Sequence, residues 1–303
     1  MRPPRLLVVG CGDVGRRVLG LLGARWRVAA LVRDPAGAAP LRGLGVTPLR
    51  GDLDAPASLA RLAGWADAVL HLAPPPADGA LDTRTRHLLA ALGRRRAPRT
   101  LVYVGTTGVY GDCGGAWVDE TRPLAPATAR ARRRADAEAQ LRAYARRRGT
   151  RLVILRAPGI YGLDRVGGDP RERLARGLPV LAAADDVHTN HVHADDLARA
   201  CALALWRGAT LRALNACDDS DMLMGDYFDL AADLAGLPRP ERVARAAIAA
   251  RVSPQALSFL GESRRLANGR LKAELGLRLR YPTVREGLAG IVGREGRAPG
   301  AAA

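Results

Sequence analysis

The stretch LLVVGCGDVGRRVLGLLGARWRVAALVR, residues 6–33, decides the fold of this chain. It begins with four apolar residues, which are typical of a parallel strand buried on both faces. A glycine-rich turn follows at 10–15, then a segment with valine and leucine at helical spacing, and then a second apolar run at 26–32. This order predicts a strand, a tight turn, a helix and a second strand, the unit from which doubly wound parallel sheets are built.

The turn GCGDVG matches the pattern G-x-G-x-x-G, and each of its glycines has a physical reason. Gly10 permits the tight turn, Gly12 lets a pyrophosphate approach the backbone, and Gly15 lets the helix pack closely on the strand. The amides at the start of the helix, from Asp13 and Val14, would then face the phosphates. We therefore expect a dinucleotide here; the alternative is a purely structural turn in a glycine-rich chain.

The end of the second strand bears on which dinucleotide is bound. A carboxylate at this position would accept hydrogen bonds from a ribose 2′-OH, whereas an arginine suits a 2′-phosphate. The residue here is Arg33, and Arg16 just after the third glycine offers a second guanidinium. The adjacent residue, Asp34, is a carboxylate and would favour NAD. We expect NADP, with NAD as the alternative.

Apolar runs alternate with helical segments as far as residue 162, which predicts further parallel strands at 46–50, 67–73, 100–104 and 151–156. Ligands of such a sheet lie beyond the carboxyl ends of its strands. We therefore expect further cofactor contacts from the strand-end residues Asp52, Leu53, Leu72, Ala73, Thr106, Pro158, Gly159 and Ile160. For Asp52, the alternative is the cap of a helix at 55–64.

Two longer helices are expected beside these strands. One covers 83–92, and the other covers about 127–148, with Pro126 suited to its first turn and Gly149 to its C-cap. Beyond residue 162 the cadence is less regular, with helices expected at about 172–176, 195–206 and 224–235 and strands at 188–193 and 211–216.

The chain has 303 residues and a formal net charge of +17, which would ordinarily indicate a nucleic-acid or anionic membrane partner. The charge is almost all arginine scattered through every predicted element, and Lys272 is the only lysine. Aromatic residues that could stack on bases make up only 4%. Nucleic-acid binding is therefore kept only as a minor alternative.

The four cysteines, Cys11, Cys113, Cys201 and Cys217, show no C-x-x-C spacing, which argues against a zinc site and a redox pair. No segment approaches the roughly eighteen consecutive apolar residues that a membrane-spanning helix needs. We expect a cytoplasmic protein with no metal and no membrane partner.

Several segments together resemble the extended short-chain dehydrogenases, the NAD-dependent epimerase/dehydratase family. They are Gly10–Gly15, Gly51–Leu53, Val109–Asp112, Arg156–Gly162, His193–Leu197 and Tyr281–Thr283, in the family's order and spacing. The resemblance implies an α/β fold: a Rossmann-type doubly wound parallel sheet with a smaller C-terminal substrate-binding cap. It implies a cofactor domain at 1–162, completed by parts of 186–217, and a cap mainly at 163–293. The small and polar residues at 294–303 predict a disordered tail.

The resemblance also implies a catalytic hydroxyl at Thr106 and a Tyr-x-x-x-Lys on the following helix. A carbonyl that gains or loses hydride needs a proton moved at its oxygen, which such a tyrosine can do. The family pattern also has a glutamate four residues after the lysine, and Glu138 matches it. In that register Arg130 takes the place of the tyrosine and Arg134 the place of the lysine. Neither arginine can shuttle a proton, because guanidinium stays charged. The chain thus resembles the atypical branch that lacks the usual tyrosine.

Other residues are candidates for the missing role. Tyr110 and Tyr161 follow strand ends that face the ligand crevice, and His191 and His193 lie near the junction with the cap, although each is more often structural. Arg134 is a candidate donor to ribose hydroxyls, and Arg130 shares its helix face one turn away.

The sequence therefore predicts an NADP-binding oxidoreductase or epimerase-like protein with a small-molecule substrate, acting as a monomer or homodimer. Arginines that favour an anionic substrate, such as a nucleotide-sugar, are Arg122, Arg130, Arg134, Arg156 and Arg165. The alternative is a non-catalytic NADP(H)-sensing regulatory protein, which the missing tyrosine makes plausible.

Overall fold

A computed structural model describes residues 3–291 and places seven parallel strands in one central sheet. In chain order they are β1 (Arg5–Val9), β2 (Arg27–Val32), β3 (Thr47–Arg50), β4 (Ala68–His71), β5 (Thr100–Thr106), β6 (Arg151–Ala157) and β7 (Arg212–Asn215). Across the sheet their order is β7-β6-β5-β4-β1-β2-β3. The order reverses between β1 and β4, which is where a doubly wound sheet binds its ligand. The predicted fold class is confirmed.

The helices are, in chain order, α1 (Asp13–Leu22), α2 (Ala38–Gly43), α3 (Thr83–Leu92), α4 (Ala129–Arg148), α5 (Pro170–Ala175), α6 (Ala194–Ala204), α7 (Met224–Ala235), α8 (Arg245–Ile248), α9 (Pro254–Leu260), α10 (Gly269–Leu275) and α11 (Val284–Leu288). Alternate residues of each strand point to opposite faces of the sheet. Leu6 and Val8 therefore pack with α1 and α6 on one face. Leu7 and Val9 pack with α3 and α4 on the other.

The elements after β6 form smaller apolar clusters beside the carboxyl ends of the strands. Tyr161 packs with α7 and α11, and Leu181 packs with α8 and α9. Two short parallel strand pairs lie outside the central sheet: 159–161 pairs with 191–193, and 180–181 pairs with 242–243. The last sheet strand, β7, pairs with β6 after the intervening segment 158–211, and helices α7 to α11 follow β7 in the chain.

Several element boundaries differ from the sequence-based expectation. Helix α4 starts at Ala129 with Thr128 as its N-cap, so Pro126 lies before the helix and not in its first turn. The strand expected at 188–193 is broken into two, which pair with different partners. The expected short helix at 172–176 is α5, which begins earlier at Pro170 because Asp169 caps it. The expected tail, 294–303, lies outside the described residues.

Among the described residues, no helix combines the length and the apolarity that crossing a membrane requires.

Candidate functional site

The glycine-rich turn joins β1 to α1 and packs directly on the end of β4. Gly10 has a φ of +86°, and a Cβ there would lie 2.4 Å from the backbone nitrogen of Ala73. A Cβ on Gly15 would lie 3.3 Å from Cδ1 of Leu72. The amides of Leu72 and Ala73 both donate to the carbonyl of Val9, which fixes the end of β4 against the turn. Close packing and the positive φ therefore require glycine at position 10, whereas at position 15 glycine avoids a tight contact with the Leu72 side chain.

Gly12 leaves the start of α1 open. It is exposed, it caps the helix without a side-chain hydrogen bond, and a Cβ placed on it would meet nothing within 4 Å. Its carbonyl accepts the amide of Arg16 at 2.9 Å, so α1 begins with the unbonded first-turn amides typical of a helix start. This arrangement fits the pyrophosphate of a dinucleotide, with Asp13 and Val14 supplying amides.

Of the residues expected near the adenosine end, Arg33 and Asp52 follow β2 and β3, and Arg16 lies in the first turns of α1. Arg16 and Arg33 are not buried. The carboxylate of Asp34, next to Arg33, accepts the amide of Ala36 at 2.9 Å and so caps a short turn. Arg33 thus keeps an accessible guanidinium at the position that decides between a ribose hydroxyl and a ribose phosphate.

Asp52 does not cap the helix that follows it. Its carboxylate accepts the amide of Asp54 at 2.9 Å, and the next element is a 3₁₀ helix, Pro56–Leu62, whose N-cap Ala55 makes no side-chain bond. The cap interpretation is therefore wrong, because the chain turns once more before the helix begins. Leu53 is buried beside this turn, and a role for either residue at the adenine stays a prediction.

Thr106 ends β5 and lines a cavity at the carboxyl edge of the sheet. Its hydroxyl oxygen accepts the amide of Gly108 at 3.2 Å and caps a 3₁₀ helix, Thr107–Tyr110. A hydroxyl that accepts this bond still has its own hydrogen to donate. Thr106 is therefore both a structural cap and a possible donor to a substrate oxygen.

Arg130 and Arg134 lie on the first turns of α4 and line the same cavity. Nη1 of Arg134 donates to Tyr103 Oη at 2.9 Å and to the carbonyl of Val104 at 3.1 Å. The guanidinium of Arg130 lies 4.8 Å from the ring centroid of Phe259 on α9. Burial and the neighbouring charge of Arg134 lower the pKa of Arg130. Two guanidinium groups thus stand beside Thr106, where the family pattern has tyrosine and lysine.

Tyr110 is not placed to transfer a proton. It is 1% exposed, and its hydroxyl donates to Asn215 Oδ1 and accepts from Arg156 Nη1, both at 2.8 Å. Burial raises the pKa of Tyr110 to about 12. The sequence-based candidacy of Tyr110 is therefore wrong: residue 110 points into a small apolar cluster and away from the cavity.

Arg156 and Arg122 do not serve an anionic substrate either. Arg156 is 3% exposed and is held by both carboxylate oxygens of Glu138. Arg122 is exposed and is not part of the cavity lining. The partner of Arg156 was not evident from sequence because Glu138 lies on a different element.

The other candidate acid–base residues surround the segment Pro158–Ile160, which follows β6 and lines the cavity. The hydroxyl of Tyr161 donates to the carbonyl of Thr283 at 3.4 Å, and burial raises the pKa of this tyrosine far above its usual value. The ring of His191 stacks on Tyr227 with centroids 4.0 Å apart, and burial lowers the pKa of His191 to about 3. Nδ1 of His193 accepts the amide of Asp195 and so caps α6. Each of the three residues thus makes a contact that stabilises the fold.

The cavity itself has a volume of about 590 Å³. It is bounded by the ends of β5 and β6, by the first turns of α4, and by α5, α7, α9 and the loops near them. Its lining includes six arginines, Arg130, Arg134, Arg165, Arg173, Arg176 and Arg264, and three acids, Asp169, Glu172 and Glu262. Arg173, Arg176 and Arg264 were not singled out from sequence, because in an arginine-rich chain nothing marks them until the fold brings them to one cavity.

Comparison with known proteins places the chain in a family. The family model described as NAD dependent epimerase/dehydratase matches residues 6–217. The chain belongs to the NAD-dependent epimerase/dehydratase family. The family resemblance noted from the sequence motifs is thus confirmed.

Solved structures support this family assignment. The epimerase/dehydratase-family chain is 32% identical to a functionally unknown conserved protein from Silicibacter pomeroyi, over 95% of this chain and 98% of that one, with a TM-score of 0.76. A UDP-glucose 4-epimerase from Thermus thermophilus, solved with NAD, is 26% identical over 95% of this chain and 98% of that one, with a TM-score of 0.75. A UDP-glucose 4-epimerase from Thermotoga maritima, solved with UDP-glucose, is 20% identical over 95% and 97%, with a TM-score of 0.76, and shares the fold. No curated protein matches the chain.

Proposed function

We propose that this protein is an NADP(H)-dependent oxidoreductase or epimerase-like enzyme that acts on a small anionic substrate without the usual tyrosine and lysine. The observation that carries the proposal is a set of four cavity arginines with no carboxylate oxygen within 4.0 Å among the described residues. They are Arg130, Arg134, Arg173 and Arg176.

The contacts of these arginines are to neutral groups. Arg173 donates to the carbonyl of Pro179 at 2.6 Å, lies 5.0 Å from the ring centroid of Phe228, and keeps its Nε buried without a partner. Arg176 donates to the carbonyl of Glu172 at 3.0 Å. Burial lowers the pKa of Arg173, as expected for a cation held away from counter-ions. Arg173 is half-buried and forms no ion pair with a described residue, so an anionic ligand would supply the counter-charge that this guanidinium lacks.

The acids of the lining are already engaged. Asp169 binds Arg171 through both oxygens, and Glu262 pairs with Arg264 at 2.8 Å. Both carboxylate oxygens of Glu172 accept the amide of Gly167. The lining carries six arginines against three carboxylates, and this excess of positive charge favours carboxylate or phosphate groups on the substrate.

In the proposed mechanism, the open start of α1 would hold the pyrophosphate, and Pro158–Ile160 would hold the nicotinamide end. The bound cofactor supplies the hydride chemistry. Thr106 donates its hydroxyl hydrogen to the reacting oxygen, and Arg130 and Arg134 stabilise negative charge that develops on that oxygen. Neither arginine gives up a proton, so the proton reaches the oxygen from solvent or from the substrate.

A turnover screen tests this function. Wild-type protein is assayed with NADPH and carbonyl compounds that carry a carboxylate or phosphate, with UDP-glucose as a further arm. For an accepted substrate we expect Thr106→Val to lower kcat about 100-fold, because a bond made in the transition state is lost. Thr189→Val, the same substitution elsewhere in the lining, should change kcat little. Equal loss in both variants would contradict the role of Thr106.

A second candidate is the non-catalytic NADP(H) sensor. The observation that favours it is that Arg130, in the place of the tyrosine, contacts Phe259 on α9 and so connects two helices that line the cavity. Saturable NADPH binding with no turnover in the screen, unchanged in Thr106→Val, would favour the sensor over the enzyme.

The preference for NADP predicts a selective effect at Arg33. We expect Arg33→Ala to lower the affinity for NADPH about 10- to 100-fold and the affinity for NADH less than about threefold. The reason is that only NADPH has the 2′-phosphate that a guanidinium binds. Fluorescence titration measures both affinities. Arg27→Ala, at the other end of β2, is the matched control. Equal losses for the two nucleotides would contradict the assignment.

Three coarser proposals accompany this function. We propose a cytoplasmic location, in keeping with four cysteines that form no disulfide. We propose a monomer or a homodimer, and a division into a cofactor domain at 1–162, completed by parts of 186–217, and a cap mainly at 163–293.

A further inference from the structure

The loop that follows Tyr161 crosses from the end of β6 to the start of α1. Its Arg165 donates through Nη1 to Asp13 Oδ2 at 2.7 Å and through Nε to the carbonyl of Ile160 at 3.3 Å. One guanidinium thus connects the first residue of α1 with the segment that follows β6. Arg165 also lines the cavity, whereas the glycine-rich turn does not.

A charged network holds the loop in this position. Arg17 on α1 donates to Asp13 at 3.1 Å, to Asp164 at 2.8 Å and to Asp195 at 2.6 Å. The loop backbone also folds closely around the Arg165 side chain, since a Cβ on Gly168 would lie 2.6 Å from Arg165 Cδ. The placement of Arg165 is therefore built by several contacts and does not depend on one surface ion pair.

The position of Asp13 is unusual for a phosphate site. It is the first residue of α1, so its carboxylate lies beside the amides that would face the pyrophosphate. A carboxylate there repels phosphate, and both Arg17 and Arg165 pair with it. A guanidinium has five N–H donors in a planar fork. Asp13 and Ile160 receive one each, and the remaining donors can bind phosphate oxygens.

We propose that Arg165 is a direct ligand of the cofactor pyrophosphate, supplied by the loop 162–168 from the cavity side. This inference rests on the proposed function, because it requires a dinucleotide on the glycine-rich turn. The loop thereby joins the cofactor site to the substrate cavity, and the same side chain that offsets the Asp13 charge also holds the phosphates.

A double-mutant cycle tests the proposal with NADPH and NADH titrations followed by fluorescence. We expect Arg165→Ala to lower the affinity for both nucleotides about 10- to 100-fold, which is the usual effect of losing a charged hydrogen bond. If Arg165 served only as a counter-ion to Asp13, its loss would also weaken nucleotide binding. The deciding comparison is therefore the effect of Arg165→Ala in the Asp13→Asn variant, which has no charge at position 13 to neutralise. If Arg165 binds phosphate directly, Arg165→Ala still weakens binding in that background. If Arg165 only neutralises Asp13, the substitution has no effect there, and the proposal is overturned.

Two further arms locate the contact. ADP-ribose, which contains the pyrophosphate, should lose affinity in Arg165→Ala as NADPH does, whereas adenosine should not. Arg171→Ala is the control, because Arg171 lies in the same region but pairs with its neighbour Asp169. Wild-type protein that binds no dinucleotide would overturn the proposed function and this inference together. Wild-type binding with equal binding by Arg165→Ala would overturn this inference alone.

Discussion

Glu138→Gln should lower the free energy of unfolding by about 3–5 kcal/mol, the cost of leaving one partner of a buried ion pair without the other. Glu138 and Arg156 have side chains that are 2% and 4% exposed. Nε and Nη2 of Arg156 donate to the two carboxylate oxygens at 2.9 and 2.7 Å. Glutamine keeps the shape but removes the negative charge, so the guanidinium stays buried with no counter-ion.

Urea denaturation followed by circular dichroism measures this loss. The matched control is Asp233→Asn, which breaks a pair of the same bidentate geometry between Arg239 and Asp233. Those side chains are 61% and 49% exposed, so solvent screens the pair and the variant should unfold as the wild type does. Similar losses in both variants would show that burial does not set the strength of the Arg156 pair.

A second large effect concerns pH. Asp218 is 4% exposed, its Oδ1 accepts the amide of Ser220 at 3.0 Å, and its Oδ2 is buried without a partner. Burial raises the pKa of Asp218 to about 8. The unfolded chain releases this proton near pH 4, so between about pH 4 and pH 8 the folded state binds more protons. Stability from this group is therefore lost as pH rises, by up to about 5 kcal/mol.

Asp218→Asn should remove this pH dependence, because an amide does not titrate. We expect the difference in unfolding free energy between variant and wild type to move in favour of the variant by several kcal/mol from pH 5 to pH 9. His71 and His191, whose pKa values burial lowers to about 3, act in the opposite direction below about pH 6.5. They are present in both proteins and cancel in the comparison. Parallel stability curves would contradict the prediction.

The regular half of the fold could be predicted from sequence because its signals are local. An apolar run of four residues followed by glycine is enough to place β1 and the turn, and α3 and α7 have the predicted bounds. Helices α8 and α9 were missed. Helix α8 has four residues, two of them alanine, and α9 has seven residues with Ser253 as its N-cap. Helices this short have little apolar periodicity that could be recognised in the sequence.

The candidate site divides in the same way. Thr106 and the arginines of α4 could be placed because they follow a strand end and share a helix face. The pairing of Arg165 with Asp13 joins residues that are 152 positions apart, and no spacing rule reaches that far. Tyr110 was misjudged for a related reason. Its position after a strand end suggests the crevice, but Arg156 and Asn215 draw its hydroxyl into the interior.

The late return of β7 to the sheet has a consequence for synthesis of the protein. Until residues 212–215 leave the ribosome, the free edge of β6 presents unpaired backbone groups to solvent. Asn215, which receives the hydroxyl of Tyr110, arrives with the same strand. A chain that stops before β7 therefore exposes the edge of the seven-residue β6, whereas in the complete protein the four-residue β7 forms that edge. The longer edge offers more backbone groups to another chain, and it stays open while the intervening segment is translated.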